Sequence, residues 1–259
     1  MSTSPTDELR EHLVASRLAG EVNTSPGHVL ANCRKLVHGD PNYTFGLSDW
    51  HDASLDEVHE AVVALCGKEV IADPEAESGW IDPDRCLEGI ATHRETLARI
   101  ARSGARVLLA TGHPTGLLMH YATIARVLRE AGCEILQPLD DHRLGTQEER
   151  VTRVRFVGGV ACAATGADLL HTHRPDIMEL LLEALAARDG LPDLVLGDHG
   201  LAGAAIEAGL DTLSIADNND PALPLAQARG RTGAVLTIDD SLAPRLFEPV
   251  TKAMLSGLP

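Results

Sequence analysis

Two groups of polar side chains directly follow short apolar runs, and their residue types suit metal binding or proton transfer. Asp198 and His199 follow a run that ends at Leu196, and residues 217–220, Asp-Asn-Asn-Asp, follow a run that ends at Ala216. Carboxylate and amide oxygens are ligands of Mg²⁺ and Mn²⁺, and a histidine suits a softer metal or a proton transfer. We predict a divalent cation, Mg²⁺ or Mn²⁺, at four of these side chains: Asp198, Asp217, Asn218 and Asp220.

A glycine-containing turn, residues 111–116, connects an apolar run at residues 107–110 to a helical pattern. Such a turn directs backbone N–H groups and the positive end of a helix at an anion, which suits a phosphate. It has neither the GxxxxGK[ST] pattern of a P-loop nor the GxGxxG of a dinucleotide fold, so neither ATP nor NAD is indicated. His113 has no advantage as a turn former, which favours a functional role. We predict phosphate binding by Thr111, Gly112, Thr115 and Gly116.

A pair of histidines, His171 and His173, is separated by a single residue. On an extended strand both side chains point to the same face, where they can bind a metal or a phosphoryl group together. Arg174 beside them offers a further contact to an anion. We predict that His171, His173 and Arg174 bind the phosphoryl group; two solvated histidines on a strand face are the structural alternative.

Each of these groups also has a structural explanation. Asp and Asn are common in loops and helix caps, and Asp220, which precedes Pro221, can cap the next helix. Asp239 and Asp240 carry the same ambiguity, and residues 111–116 can be a plain tight turn. The convergence of four strand ends on polar, titratable groups favours one site over several independent structural roles.

Strands and helices alternate from Arg106 onward, which predicts how these groups are brought together. Parallel strands with right-handed crossovers place their carboxyl ends at one edge of a sheet, where open α/β sheets bind ligands. We predict an α/β fold, a Rossmann-like three-layer sandwich with a mostly parallel sheet, over residues 105–259. Residues 1–104 are predicted as a helical N-terminal region, either a cap or lid or part of the same domain. Its loops at residues 39–52 and 73–83 are of the kind that often fold over a site.

Two further segments are predicted to add strands to this sheet. Residues 151–165 alternate Arg and Val at their start, which predicts an edge strand with a bulge or turn at Gly158 and Gly159. Residues 169–173 are predicted as the returning strand of a hairpin, which would carry the histidine pair.

Charge and composition limit the class of partner. The 259 residues include 38 acidic and 22 basic side chains, and the net charge of −16 repels nucleic acid and anionic membranes. The five cysteines show no CxxC spacing, so we expect reduced thiols. The sequence shows no signal-peptide pattern and no run of membrane-spanning length. We expect a cytoplasmic protein that binds a small phosphorylated metabolite, with no nucleic acid and no membrane; a homodimer stays open.

Seven distinctive segments spread over nearly the whole chain carry a family resemblance. They are LVASRLAG from Leu13, GDPNYTFGL from Gly39, LLATGHPTGLL from Leu108, RFVGGVA from Arg155, HTHRP from His171, GDHGLAGAAIEAG from Gly197 and ADNNDPAL from Ala216. In these segments the chain resembles a group of actinobacterial proteins labelled phosphatase, which implies that activity and assigns no residue roles. The order of a helical front and an α/β half is also similar to that of metal-dependent damage-control phosphatases, whose acidic signature is not reproduced.

Together these features predict a phosphatase that hydrolyses a phosphomonoester of a small metabolite, with one or two divalent cations. A cation would neutralise the substrate and the developing negative charge on this acidic chain. His113, His199 and Asp198 are predicted to be catalytic, with one of the two histidines protonating the leaving oxygen. Two alternatives stay open: a metal-independent sugar-phosphate isomerase or transferase, and a non-catalytic metabolite-binding protein.

Overall fold

Five helices and two short strands make up the N-terminal region in the computed structural model, which describes residues 4–147, 150–188 and 190–258. Serine side chains cap several of the helices: Ser25 accepts the N–H of His28, and Ser54 accepts that of Glu57, as is typical at helix N-termini. The helices are α1 (Pro5–Ala15), α2 (Pro26–Val37), α3 (Pro41–Thr44), α4 (Leu55–Cys66) and α5 (Pro83–Ser103). The strands β1 (Gly20–Val22) and β2 (Gly79–Ile81) pair antiparallel.

A central sheet follows, built from nine strands in the described residues. They are β3 (Arg106–Ala110), β4 (Glu134–Ile135), β5 (Arg143–Gln147), β6 (Arg150–Val157), β7 (Val160–Thr165), β8 (Asp168–Leu170), β9 (Leu194–Asp198), β10 (Thr212–Ala216) and β11 (Val235–Thr237). The order is β11-β10-β9-β3-β7-β6-β5, with β4 beside β3 and β8 beside β7. Strands β11, β10, β9, β3 and β7 run parallel to one another, and β4 is parallel to β3. Strands β6 and β8 pair antiparallel with β7, and β5 pairs antiparallel with β6.

Helices of the second half connect these strands, except the last helix, which follows the last strand. They are α6 (Pro114–Glu130), α7 (Asp176–Ala186), α8 (His199–Glu207), α9 (Ala222–Ala228) and α10 (Glu248–Met254). Single 3₁₀ turns occur at Asp49–His51, Lys68–Ile71 and Pro244–Phe247. The predicted mixed α/β fold with a mostly parallel central sheet is therefore confirmed.

Both faces of the sheet are covered, as the uninterrupted apolar sequence of β3 requires. Val107 and Leu109 pack into a core with residues of α1, α5, α6 and α10. Leu108 and Ala110, which point to the opposite face, pack with residues of α7 and α8. A third apolar cluster joins α2 and α4 to α8 and α9. The helical N-terminal region thus shares its core with helices that lie on the sheet.

One strand prediction was wrong in its position within the sheet. Strand β6 is bonded to a neighbour on each side, to β7 and to β5, so it is not an edge strand. Strand β5 was not predicted because its sequence has no apolar run. A strand at the end of a sheet can pair through its backbone with little apolar sequence. The turn predicted at Gly158 and Gly159 is present, and both residues have positive φ angles, 62° and 92°.

All five cysteines are buried and free, as expected of reduced thiols. Burial raises the pKa of the Cys33 and Cys162 thiols to about 12. Within the described ranges, no helix combines the length and the apolar character needed to cross a membrane.

His93 on α5 is a buried, neutral side chain whose protonation should weaken the fold. Its Nε2 lies 2.9 Å from the carbonyl oxygen of Ala234, and burial lowers its pKa to about 4. Protons therefore bind the unfolded chain first, and the free energy of unfolding falls as the pH drops from about 6.5 to about 4. We expect His93→Gln, whose amide can donate to the same carbonyl, to reduce this slope by up to about 1.4 kcal/mol per pH unit.

Urea denaturation at several pH values between 4 and 7 measures the slope for both proteins. His28→Gln, which removes an exposed imidazole, serves as the control and should keep the wild-type slope. Equal slopes for wild type and His93→Gln would contradict the prediction.

Candidate active site

Four adjacent parallel strands end in polar groups at one edge of the sheet. Residues 111–113 follow β3, Asp198 ends β9, residues 217–220 follow β10, and residues 239–240 lie just beyond β11. Because these strands are parallel neighbours, their carboxyl ends bring the polar groups together. The structure therefore places Asp198 and His199 next to residues 217–220.

The histidine pair reaches the same edge by a different path. Strand β7 begins beside the end of β3, where Val160 pairs with Leu109, and it continues past that edge. Strand β8 then returns antiparallel to β7, and His171 and His173 come directly after it. The two histidines are therefore outside the strand on which they were predicted. The N–H of Thr172, between them, donates to the carbonyl of Gly112 at 2.9 Å and fixes this segment to the β3 turn.

His199 lies at the centre of the cluster in a fixed orientation. Its Nδ1 lies 2.9 Å from Oδ1 of Asp198, which also accepts the N–H of Gly112 at 2.7 Å. Since a carboxylate can only accept, Nδ1 carries a proton and Nε2 faces the other way, 3.6 Å from the carboxylates of Asp220 and Asp240. The backbone of His199 has φ of 47°, a left-handed conformation that is rare outside glycine and concentrates at functional sites.

The buried carboxylates strongly affect one another and the central imidazole. Burial alone would lower the pKa of His199, but Asp220, Asp198 and Asp240 outweigh it and raise that pKa to about 10. Burial raises the pKa of Asp220 to about 6, even though the charge of His199 opposes the shift. Burial, together with the negative charges of Asp240 and Asp239, holds the pKa of Asp217 well above its usual range. The metal-free site is thus short of positive charge.

His113 and Asp240 form a second close pair. Nδ1 of His113 lies 3.1 Å from Oδ1 of Asp240. Burial would lower the pKa of His113, but the Asp240 carboxylate outweighs it and raises that pKa. Burial would likewise raise the pKa of Asp240, but its contacts with His113 and His199 hold that pKa below the usual range. Both side chains therefore favour their charged forms.

Several oxygen atoms of the cluster are buried and have no hydrogen-bond donor among the described residues. They are one oxygen each of Asp198, Asp239 and Asp240, and the amide oxygen of Asn218. Such atoms destabilise a protein unless a donor or a cation satisfies them. Two groups of three side chains place their possible ligand atoms within 4.8 Å of one another. The first is His199, Asp220 and Asp240, and the second is His113, His171 and His199. The residues present therefore fit a metal ion.

The four predicted metal ligands differ in their surroundings. Asp220 belongs to the close group with His199 and Asp240, whereas Asp198 orients His199. Both oxygens of Asp217 already accept hydrogen bonds, from the N–H of Asn218 at 2.7 Å and from the Thr24 hydroxyl at 3.2 Å. The amide nitrogen of Asn218 donates to the carbonyl of Thr24 at 3.1 Å.

The β3 turn has a structural role that the sequence did not show. The N–H of Gly112 donates to Asp198, that of His113 to the Thr111 hydroxyl, and that of Gly116 to the carbonyl of His113. These three N–H groups already have acceptors within the protein, and phosphate binding by Thr111, Gly112, Thr115 and Gly116 stays a prediction. Thr115 is exposed on the first turn of α6.

The two glycines of this turn allow other backbone segments to come very close. A Cβ atom on Gly112 would overlap the carbonyl oxygen of Thr172, and one on Gly116 would overlap that of Asp240. We expect Gly112→Ala to push away the segment that carries His171 and His173 and to lower the free energy of unfolding by about 1–3 kcal/mol. Urea denaturation measures the loss, and a variant as stable as wild type would contradict it. Gly233→Ala, where nothing lies within 4 Å of the new Cβ, is the control.

Several residues of the site were missed or left ambiguous in the sequence. Asp240 was ambiguous, yet it touches both His113 and His199. The carbonyl of Asn42 lies 2.8 Å from Nδ1 of His173, and the Phe45 ring packs edge-on against His173 and His199. Both belong to the predicted loop at residues 39–52, and its loop-like composition was the one feature of the sequence that indicated a position near the site.

Arg174 lies beside the cluster with a side chain that is 58% exposed. Its guanidinium lies 3.9 Å from the Asp176 carboxylate. Its predicted contact with a phosphoryl group stays a prediction.

These features define an α/β protein with a buried histidine–carboxylate cluster at the carboxyl edge of its parallel strands. The chain belongs to the protein family described as Phosphatase, whose profile matches residues 4–258. It is 39% identical over 254 residues to Phosphatase SCO2771 of the actinobacterium Streptomyces coelicolor, with 96% of this chain and 94% of that protein covered. No solved structure matches the chain. The family resemblance predicted from the sequence is confirmed, and the family membership supports a phosphatase.

Proposed function

We propose that the protein is a phosphatase that hydrolyses phosphomonoesters of a small metabolite with a divalent cation held by His199, Asp220 and Asp240. The observation that carries this proposal is the set of buried carboxylate oxygens around His199 that have no donor in the described part of the chain. A cation would satisfy them and would supply the positive charge that an anionic substrate needs in this acidic chain. Membership of the Phosphatase family supports the reaction class.

The mixed ligands bear on the choice of metal. Imidazole nitrogen suits Mn²⁺, Zn²⁺, Fe²⁺ or Co²⁺ better than Mg²⁺, which prefers oxygen ligands and keeps its water. Of the two ions predicted from the sequence, Mn²⁺ therefore fits this cluster better. Asp198 holds the imidazole of His199 with Nε2 towards Asp220 and Asp240, as carboxylates commonly do for metal-binding histidines.

The proton donor is proposed to be His113 rather than His199. When bound, the cation would polarise the phosphoryl group and lower the pKa of a bound water. Asp240 raises the pKa of His113 and so favours its protonated form. The side chain of His113 is 12% exposed, whereas that of His199 is 4% exposed. His113 is therefore better placed to give a proton to the leaving oxygen of a substrate that enters from the side of the exposed His171.

We also infer that the fold is a Rossmann-like three-layer sandwich, a proposal supported by the apolar clusters on both sheet faces. The division at residues 104 and 105, the lid or cap role of the first part, the cytoplasmic location and the homodimer stay predictions. Residues 1–3, 148–149, 189 and 259 of the predicted domain ranges lie outside the described residues.

The experiment is phosphate release from a panel of esters by tag-free protein stripped with EDTA and reloaded with Mn²⁺, Zn²⁺ or Mg²⁺. We expect inorganic phosphate from monoesters such as sugar phosphates and p-nitrophenyl phosphate after reloading, and a loss of at least about 100-fold in EDTA. A phosphodiester should be a poor substrate. No phosphate release with any metal would contradict the proposal, and conversion of a sugar phosphate in EDTA without phosphate release would favour the isomerase.

A further inference from the structure

We propose that a second divalent cation binds between His171 and His173, beside the first, so that the site holds two ions. This inference rests on the proposed metal-dependent phosphatase and deepens it, because it gives the histidine pair a metal to bind instead of the phosphoryl group itself. The phosphoryl group would then bind to that ion, which the two histidines hold.

The spacing of the two imidazoles is that of two ligands of one ion. Nε2 of His171 and Nε2 of His173 lie 3.1 Å apart. Metal–nitrogen bonds of about 2.0–2.1 Å place two adjacent ligand nitrogens about 3.0–3.4 Å from each other. A shift of a few tenths of an ångström would therefore suffice for both nitrogens to bind the same ion.

The orientation of His173 is fixed by a neighbouring loop. Its Nδ1 lies 2.8 Å from the carbonyl oxygen of Asn42, which can only accept a hydrogen bond. Nδ1 therefore carries the proton, and in the neutral ring Nε2 keeps its lone pair towards His171. Metal-binding histidines commonly donate their second ring nitrogen to a carbonyl in this way. Phe45 packs edge-on against the same ring at 5.4 Å and limits its rotation.

The histidine pair also lies next to the first group of ligands. The ring of His173 stacks on that of His199 at 4.5 Å, and the ring of His171 stacks on that of His113 at 4.6 Å. One oxygen of Asp240 lies 3.1 Å from His113, the ring on which His171 stacks. Its other oxygen lies 3.6 Å from His199 and has no donor among the described residues. A carboxylate placed between His113 and His199 could bind the first ion and approach the second.

The alternative is a hydrogen bond between two neutral imidazoles, in which His171 donates from Nε2 to His173. That contact would need no ion and would leave the metal content unchanged when His171 is replaced. His171 is exposed, so its replacement should not disturb the core. Metal counting on a His171 variant therefore separates the two explanations.

The test is the Mn²⁺ content of tag-free, full-length protein after stripping, reloading and removal of free ion. We expect two Mn²⁺ per chain for wild type and one for His171→Gln, with the remaining ion bound within about threefold of the wild-type affinity. His171→Asp, which keeps a metal ligand, should retain two. His28→Gln, which removes an exposed imidazole on α2, is the matched control and should also retain two.

Electron paramagnetic resonance gives a second measurement on the same samples. Two Mn²⁺ ions about 3.5–4 Å apart, the spacing of two-metal sites, interact magnetically. Wild type should show this interaction, and His171→Gln should show the six-line spectrum of an isolated ion. One ion in wild type, or two in His171→Gln, would overturn the inference. If wild type binds one ion and releases phosphate, the second ion site is wrong but the proposed phosphatase function stands. If wild type binds two ions and releases no phosphate, the two ion sites stand but the proposed function is wrong.

Discussion

Asp240→Asn is expected to lower metal-dependent phosphate release by about 10²–10³-fold while the protein stays folded. Asp240 is the carboxylate that lies 3.1 Å from His113 and 3.6 Å from His199, and one of its oxygens has no hydrogen-bond donor among the described residues. Asparagine keeps the shape and one oxygen but loses the charge. Without it the pKa of His113 should fall, and the cation should lose a ligand.

The measurement is the rate of phosphate release at saturating Mn²⁺, together with thermal denaturation to show that the variant is folded. Asp56→Asn on the exposed face of α4 removes a carboxylate far from the cluster and should retain wild-type activity. An Asp240→Asn protein that is folded and works within about threefold of the wild-type rate would show that the cluster is not the catalytic site.

The second large effect concerns stability: the substitution of another carboxylate of the site should stabilise the metal-free protein. Asp217→Asn should make the metal-free protein more stable at neutral pH by about 1–2 kcal/mol, even though it alters the candidate site. Burial and the charges of Asp240 and Asp239 hold the pKa of Asp217 well above its usual range. The unfolded chain therefore loses this proton first as the pH rises above about 4, and the free energy of unfolding falls. Asparagine has no proton to lose and escapes this penalty.

Thermal denaturation in EDTA at pH 7 should show a midpoint several degrees higher for Asp217→Asn than for wild type, at about 2–4 °C per kcal/mol. The difference should shrink as the pH falls to about 4 and below, where the carboxyl becomes protonated in the unfolded chain as well as in the folded protein. Added Mn²⁺ should stabilise wild type more than the variant, since the ion offsets the carboxylate charges. A variant that is less stable than wild type in EDTA at pH 7 would contradict this electrostatic account.

The strands that position the cluster could be predicted because each is a short apolar run with a polar end. Strand β10 lies where its apolar run was, and β9 extends its run by two residues to include Asp198. Parallel pairing then brings the ends together whatever the details of the loops. Asp198, His199 and Asp220 were found in this way.

The rest of the site depends on geometry that spacing does not encode. His171 and His173 reach the cluster only because β7 runs past the end of β3 and β8 returns beside it. Asp240 was ambiguous because β11 has only three residues, too few for a clear pattern. Thr24 and Asn42 approach from the helical region, more than a hundred residues away in sequence, through contacts that no local pattern indicates.

The role of the two glycines in the turn after β3 also could not be predicted from the sequence. Gly112 and Gly116 fit the pattern of an anion-binding turn, but their lack of a side chain serves the close approach of Thr172 and Asp240. The hydrogen bonds of the turn likewise go to protein groups, including Asp198. Sequence alone cannot separate a glycine that admits a ligand from one that admits another backbone segment.

The most direct test of the account is a metal titration of stripped protein in which bound Mn²⁺ and the rate of phosphate release are measured on the same sample. If His199, Asp220 and Asp240 hold a catalytic ion, the rate should rise in proportion to the ions bound and reach its maximum when the cluster is filled. Full phosphate release by protein with less than about one tenth of an ion per chain would contradict a metal-dependent phosphatase at this cluster.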